Sequence, residues 1–561
     1  MTLKNPDKHF FTDTRLNEGP WQAFERDFAR LLLHKEFDDV RVVGGPGDNG
    51  ADVLGIINDE LWVFQCKHTN SNRPPVNAIK EAVNAAEVYG ADRIGVVIST
   101  YPSESFNREI LKYEQRGLSI DVFGPKKISD LCKNAPVFNH KRKNLRFYQQ
   151  EVFEQSYNKL VDTGKAQIIM ATGLGKTVVM SEIVSCLFEE EKLDRGRVLV
   201  LAHTRELVKQ LLEGFWSQLP KWVDTHMLMG GEFPTYFEGI TFATVQSIAK
   251  QINKLPKFDA IFIDEAHHAG ASTFLNIIDT INPKYLAGFT ATPWRGDGFD
   301  ISDILGKPVS RVGISEGLAK GFLSDIDYRL IADDLDWDFI QQKSKYQYSI
   351  KQLNKKLLIP SRDDKAAKII AEEFINEERK AAIIFSPGIT HAMDFVGWLR
   401  HAGLTAEVIT SSQTNREQEV IMSRFKAGEF QVAVTVDMFN EGVDVPDVDM
   451  VVFLRATHSR RIFVQQLGRG LRVSQEKDKV IVLDFVSDLR RMAMVLDLDK
   501  SVKTLQVEKL GLGERLVAFN DHSAGTFLKE WLLDQADLFL REGDASLDIP
   551  AFDYPEPDLV Q

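Results

Sequence analysis

Residues 167–177, QIIMATGLGKT, decide the fold. Ile168 and Ile169 give a short apolar run, and residues 171–177 bring two glycines and a Lys-Thr pair. Residues 178–190 then continue with apolar side chains at helical spacing. Strand, glycine loop and helix in that order make a phosphate cradle. Gly173 and Gly175 let backbone N–H groups turn inward, and the helix N-terminus adds the positive end of its dipole. Lys176 would reach the outer phosphates of a nucleotide, and Thr177 would offer its hydroxyl to Mg²⁺. Met170 stands at the first glycine position of the general GxxxxGK[ST] pattern, so the loop departs from it there.

The chain around this loop has 561 residues, which predicts three or four domains at about 150 residues each. Its 43% hydrophobic content suffices for substantial cores. The start, MTLKNPDKHFF, is too polar for a leader, and no apolar run approaches the roughly 18 residues of a spanning helix. Cys66, Cys132 and Cys186 lie far apart without metal-ligand spacing, so a reduced, cytoplasmic setting is expected and no membrane. The net charge of −13 argues against a basic-coated surface. It leaves nucleic acid open, because binding needs a local basic track rather than a basic average.

Residues 15–135 read as one α/β unit. Phe24, Phe28, Leu31 and Leu32 mark a helix over residues 20–37. Two strand-like runs, VRVVGGPGDNGADVLGII and LWVFQCK, flank the turn Asn58-Asp59-Glu60 and predict a hairpin. Alternation puts Gln65 and Lys67 on one face of the second strand, and the hairpin brings Asp52 to the same place. That arrangement suits metal-dependent phosphodiester cleavage. Asp52 and the Gln65 carbonyl oxygen would hold Mg²⁺, and Lys67 would orient a water or stabilise developing charge. Glu25, on the preceding helix, is a further metal contact. FERDFARLLL, GDNGADV, VFQCKH, ADRIGVVIST and SIDVFGPKKISDL together resemble the Mrr-type restriction endonuclease domain, a branch of the PD-(D/E)xK fold. The resemblance covers about 120 residues and implies catalytic roles for Asp52, Gln65, Lys67 and Glu25. Gln65 replaces the acidic residue of the broader fold, as Mrr-like members commonly have it.

Residues 136–144, PVFNHKRKN, are basic and irregular and read as a solvated linker. Beyond it, Gln149 could hydrogen-bond an adenine. RVLVLA predicts a buried strand, TRELVKQLLEGFW an amphipathic helix, and ITFATVQSI a strand whose end could meet a nucleic-acid backbone through Thr244, Gln246 and Ser247. AIFI runs into Asp264-Glu265-Ala266-His267, placing carboxylates where ligands bind at parallel-strand ends. Asp264 would hold Mg²⁺, and Glu265 would orient or deprotonate the attacking water. Thr290 and Thr292 close a second strand end. After a crossing segment, AAIIFS, AEVIT, VAVTV, MVVFL and VIVLDF alternate with helices, which predicts a second parallel sheet. Within that lobe, Gln465, Arg469 and Arg472 lie in QQLGRGLR; helical spacing brings the two arginines near one face, where they could bind a phosphoryl group.

Gln149, ATGLGKT, AHTREL, TVQS, DEAH, TAT, NEGVDVP and QQLGRGLR, in this order, resemble the superfamily 2 helicases of the DEAH-box-like branch, which includes restriction-enzyme motors and excision-repair helicases. That resemblance implies ATP between two RecA-like lobes. Thr172, Gly173, Gly175, Lys176, Thr177, Asp264, Glu265 and His267 would come from one lobe; Asp444, Gln465, Arg469 and Arg472 from the other. Thr244, Ser247 and Thr292 would touch one DNA strand. The expected architecture is α/β: an endonuclease-like domain (1–135), a linker (136–144), two RecA-like lobes (145–325 and 326–495), and a small helical C-terminal region with an acidic tail (496–561). The expected activity is an ATP-dependent DNA helicase or translocase fused to a Mg²⁺-dependent endonuclease, serving restriction or anti-phage defence by family analogy. Two alternatives stand beside it: a repair or remodelling helicase whose N-terminal domain binds DNA without cutting, and an ATP-gated DNA clamp. Duplex, forked or single-stranded DNA is the expected partner, with protein partners on the acidic tail.

Overall fold

The computed structural model describes residues 8–43, 50–69, 74–266, 272–291, 301–313, 316–317, 320–332, 363–436, 448–454, 479–485, 510–512 and 517–518. By its contacts the chain divides into two compact units, residues 1–169 with 175–311, and residues 170–174 with 312–561.

The first unit begins with a five-stranded sheet in sequential order: β1 (Asp38–Val42), β2 (Val53–Ile57), β3 (Glu60–Lys67), β4 (Arg93–Ile98) and β5 (Ile120–Phe123). The first three strands pair antiparallel and the last three parallel. The expected hairpin is β2–β3. Its two-residue turn, Asn58-Asp59, has φ of 52° and 63°, the left-handed pair that matches the twist of adjoining strands. Helices α1 (Asp13–Glu18), α2 (Trp21–His34), α3 (Asn77–Tyr89), α4 (Glu104–Glu114) and α5 (Pro125–Lys133) accompany the sheet. On one face Phe28 of α2 meets Phe64 and Phe123 edge-on, with centroids 5.2 and 5.5 Å apart. On the other, Ala78, Ile79 and Ala82 of α3 share a core with Val63, Ile94 and Val96.

A seven-stranded sheet follows: β6 (Lys165–Met170), β7 (Arg197–Ala202), β8 (Thr225–Leu228), β9 (Gly239–Thr244), β10 (Ala260–Ile263), β11 (Tyr285–Thr290) and β12 (Pro308–Val312), in the order β12-β6-β11-β10-β7-β9-β8. The pairs from β6 through β8 run parallel. Helices α6 (Phe147–Thr163), α7 (Lys176–Glu189), α8 (Arg205–Trp216), α9 (Val245–Gln251), α10 (Ser272–Ile281) and α11 (Ser302–Leu305) complete the lobe. Burial on both sheet faces explains why RVLVLA and AIFI are continuous apolar runs rather than alternating ones.

Residues 136–144 are not a solvated linker. Lys221 N donates to Val137 O at 2.7 Å, Asn139 Nδ2 donates to Trp216 O at 2.7 Å, and Arg142 pairs with Glu182 at 3.2 Å. Two of the basic residues of this stretch are paired with acids of the same unit, Lys141 with Asp38 and Arg142 with Glu182. A count of charges in sequence cannot reveal such partners.

The second unit carries an eight-stranded sheet: β13 (Asp325–Ala332), β14 (Ala382–Phe385), β15 (Ala406–Ile409), β16 (Val432–Thr435), β17 (Met450–Phe453), β18 (Lys479–Asp484), β19 (Leu510–Leu512) and β20 (Val517–Ala518). Its order is β15-β16-β14-β17-β18-β13-β19, with β20 also on β13, and its pairs are parallel. Helices α12 (Asp363–Asn376), α13 (Ile389–His401) and α14 (Asn415–Lys426) belong to it. Thr414 and Glu417 close a capping box at the start of α14. The expected helical C-terminal region is corrected in part: residues 510–512 and 517–518 are strands that cover β13, which would otherwise be a bare sheet edge. The amphipathic segment 528–540 lies outside the described residues.

Candidate functional site

The glycine loop follows buried β6 and opens α7. Gly173 and Gly175 have φ of 91° and 85°, a conformation that only glycine adopts without strain. The Thr172 Oγ1 is buried with no hydrogen-bond partner. On α7, Lys176 Nζ donates to Glu265 Oε1 at 2.7 Å, with both side chains nearly buried. Thr177 turns its methyl toward Gly214 of α8. Gln149 accepts a hydrogen bond from Arg146 N at 2.9 Å, and its amide nitrogen lies against the Cα of Gly175. The expected adenine contact thus stands in the first turn of α6, packed against the loop glycine.

Asp264 and Glu265 directly follow β10, and both are buried. Asp264 N donates to Leu201 O at 2.9 Å, which fixes the strand end. Glu265 has φ of 49°, uncommon for a residue with a Cβ. Strain of this kind persists only where surrounding structure enforces it, and it gathers at functional positions. A cation from Lys176 on one side and a forced backbone on the other aim this carboxylate. The residues fit an ATP–Mg²⁺ group: a glycine cradle after β6, one lysine, one hydroxyl, and two carboxylates at the end of β10, two strands away in the parallel sheet.

Thr244 caps α9, accepting from Ser247 N at 3.2 Å, while its hydroxyl and that of Ser247 lie 2.8 Å apart. Gln246 is exposed beside them. His267, Thr292, Asp444, Gln465, Arg469 and Arg472 lie outside the described residues.

In the N-terminal sheet, Asp52 stands before β2, and Gln65 and Lys67 lie on β3. Asp52 Oδ2 accepts from Gln65 Nε2 at 2.5 Å and from Cys66 N at 2.6 Å. Asp52, Gln65 and Glu25 are 5%, 2% and 6% exposed. Burial, then the Asp52 and Glu25 carboxylates, push the Cys66 thiol well above its ordinary range, so both carboxylates act on one sulfur. The Gln65 Oε1 is buried and has no hydrogen-bond partner. An orphaned buried carbonyl oxygen is costly, and beside the Asp52 carboxylate it is what a hard oxygen-loving cation requires. Among the described residues no three His, Cys, Asp or Glu side chains cluster for a metal. The donors that the contacts bring together are the Asp52 carboxylate and the Gln65 amide.

Lys67 does not reach this group in the resting geometry. Its Nζ pairs with Glu81 Oε2 of α3 at 2.8 Å. Glu81 was not foreseen from the sequence, where it looks like an outward-facing helix acid. A signal is Gly50, at φ 87°, where an added Cβ would meet the backbone of Glu81.

Three family models match this chain: the type III restriction enzyme res subunit over residues 142–295, the helicase conserved C-terminal domain over 364–474, and the Mrr-type restriction endonuclease over 16–126. IRC3 of Saccharomyces cerevisiae, named as an inferred ATP-dependent helicase, is 27% identical over 374 residues, which is 64% of this chain and 53% of that protein. The DNA 3'-5' translocase XPB2 of Sulfurisphaera tokodaii is 26% identical over 375 residues, 60% of this chain and 80% of that one. The solved structure of the ATP-dependent type ISP restriction-modification enzyme LlaBIII bound to DNA shares the fold, with a TM-score of 0.54 at 18% identity. That match covers 94% of this chain and 42% of the solved one. The chain spans about half the length of IRC3.

Proposed function

From a chain that joins helicase regions to an Mrr-type restriction-endonuclease region, we propose an ATP-driven DNA translocase that carries a metal-dependent DNA nuclease and acts in restriction of foreign DNA. In the motor, Lys176 holds the outer phosphates, Thr177 and Asp264 hold Mg²⁺, and Glu265 orients the attacking water. In the nuclease, Asp52, the Gln65 oxygen and Glu25 hold Mg²⁺, which when bound would polarise the scissile phosphate and lower the pKa of a bound water. Lys67 leaves Glu81 for the phosphate once DNA arrives.

The observation that carries the cutting role is the buried, partnerless Gln65 Oε1 next to Asp52. A domain kept only for binding DNA has no use for an oxygen left bare at that cost. The test is cleavage of plasmid and of duplex, forked and single-stranded oligonucleotides, with Mg²⁺ or with chelator, each with and without ATP. Metal-dependent cuts that ATP stimulates are the expected result. Intact DNA under every condition, with ATP still turned over, would make the N-terminal domain a reader rather than a cutter.

A further inference from the structure

Helix α2 carries Glu25 and also a stripe of buried polar side chains that serves the motor lobe. Residues 26, 30 and 34 are four apart, so they line one flank. Arg26 grips Glu232, in the loop between β8 and β9, with two prongs: Nη1 to Oε2 at 2.8 Å, and Nη2 to Oε1. Arg30 donates to Val223 O at 2.7 Å and to Pro220 O at 3.0 Å. His34 Nδ1 lies 3.1 Å from Pro136 O. Asp27 pairs with Arg15 Nε at 2.5 Å, and Arg15 Nη2 reaches Thr225 O at 3.0 Å and His226 Nδ1 at 3.2 Å. From the lobe, Lys221 Nζ returns to the carbonyls of Cys132, Lys133 and Ala135 at the end of α5.

These are not the contacts of a swinging tether. Arg15, Asp27, Arg30 and His226 are at most 1% exposed. Shifting one side while the contact stays closed would leave buried charges without partners, which is strongly unfavourable. The other flank of α2 faces the nuclease sheet: Phe28 meets Phe64 of β3 at 5.2 Å, and Phe24 lies 5.5 Å from His68, the residue after Lys67. One helix therefore packs against the strand that bears Gln65 and Lys67 on one side and is bolted to the motor on the other.

We infer that Arg26 and Glu232 are positioning residues, and that the motor lobe sets the metal affinity of the nuclease by fixing the helix that bears Glu25. The inference rests on the metal role proposed for Glu25, Asp52 and Gln65. Glu232 belongs to the lobe and grips α2 through Arg26, so a change there reaches the nuclease by way of that helix.

The experiment uses the full chain and the variants Arg26→Glu, Glu232→Arg, their double, and Glu232→Gln. Mg²⁺ is titrated in plasmid cleavage and by calorimetry, with ATP turnover measured alongside. Each single charge reversal should raise the metal midpoint about tenfold or more, as loss of an outer support does, with turnover little changed. The double should return toward the parent. Where a reversal does not fold, Glu232→Gln, neutral and of the same shape, carries the test. Variants that keep the parent's metal midpoint, or a double no better than its singles, would overturn the inference. A parent that neither cuts DNA nor takes up Mg²⁺ would instead sink the cutter itself.

Discussion

Lys176 Nζ and Glu265 Oε1, eighty-nine residues apart, meet at 2.7 Å. In the proposed motor, the cation meant for phosphate and the carboxylate meant for water would hold each other until nucleotide arrives. Lys176→Ala should therefore lower ATP turnover at least about a hundredfold, the usual loss for one donor to developing charge. Glu265→Gln should lower turnover as much while fluorescent nucleotide still binds, because it removes the water-directing charge and leaves the phosphate contacts. Phosphate release, nucleotide titration and thermal melting check the pair. Loss of nucleotide binding in Glu265→Gln would remove its assigned role.

Gly175 makes two demands at once: φ of 85°, and room for the Gln149 amide. Gly175→Ala should cost about 2 kcal/mol in urea unfolding, the sum of left-handed strain and the clash. Adding Gln149→Ala should recover the clash alone, so the double stays less stable than Gln149→Ala. Equal stability of those two proteins would mean that backbone conformation at 175 carries no cost.

Lys67 and Glu81 are both partly exposed, so their 2.8 Å ion pair contributes under about 1 kcal/mol. Lys67→Ala should leave the melting temperature and ATP turnover near those of the parent and abolish cleavage. Cleavage surviving in Lys67→Ala would transfer the role to another cation.

How much of this was legible in the chain depends on whether the signal is local. The loop at 173–177, the apolar strands and Asn58-Asp59 announce themselves through glycine, run length and turn chemistry, and the sheets follow by alternation. Lys176 and Glu265 could be named from their motifs, but their contact could not. The buried stripe of Arg26, Arg30 and His34 was missed because polar residues four apart on an amphipathic helix normally face water. Here Arg26 faces the Glu232 carboxylate, Arg30 the carbonyls of Pro220 and Val223, and His34 the carbonyl of Pro136, and nothing within the helix says so. Strands β19 and β20 are three and two residues long, too short for periodicity to show.

His226 gives the domain contact a pH signature. Its Nδ1 accepts from Arg15, and its Nε2, carrying the proton, donates to Glu238 O at 2.7 Å. Burial, then Arg15, hold its pKa down at about 3 from an ordinary 6.5. A base depressed in the fold contributes stability that is present above pH 6.5 and is lost as pH falls toward 3. Asp224 works in the opposite direction: burial raises it to about 7 from 3.8, so its contribution is lost as pH rises through 7. Burial raises Asp27 as well. The parent's own pH curve therefore mixes these groups, but a difference between two proteins isolates one. His226→Gln keeps an acceptor and a donor and cannot be protonated, so its stability relative to the parent should improve by about 1 kcal/mol as pH falls from about 7.5 to 5.5. Urea midpoints measured across that range check it. Curves that stay parallel would mean that His226 is no more averse to a proton in the folded protein than in the unfolded chain.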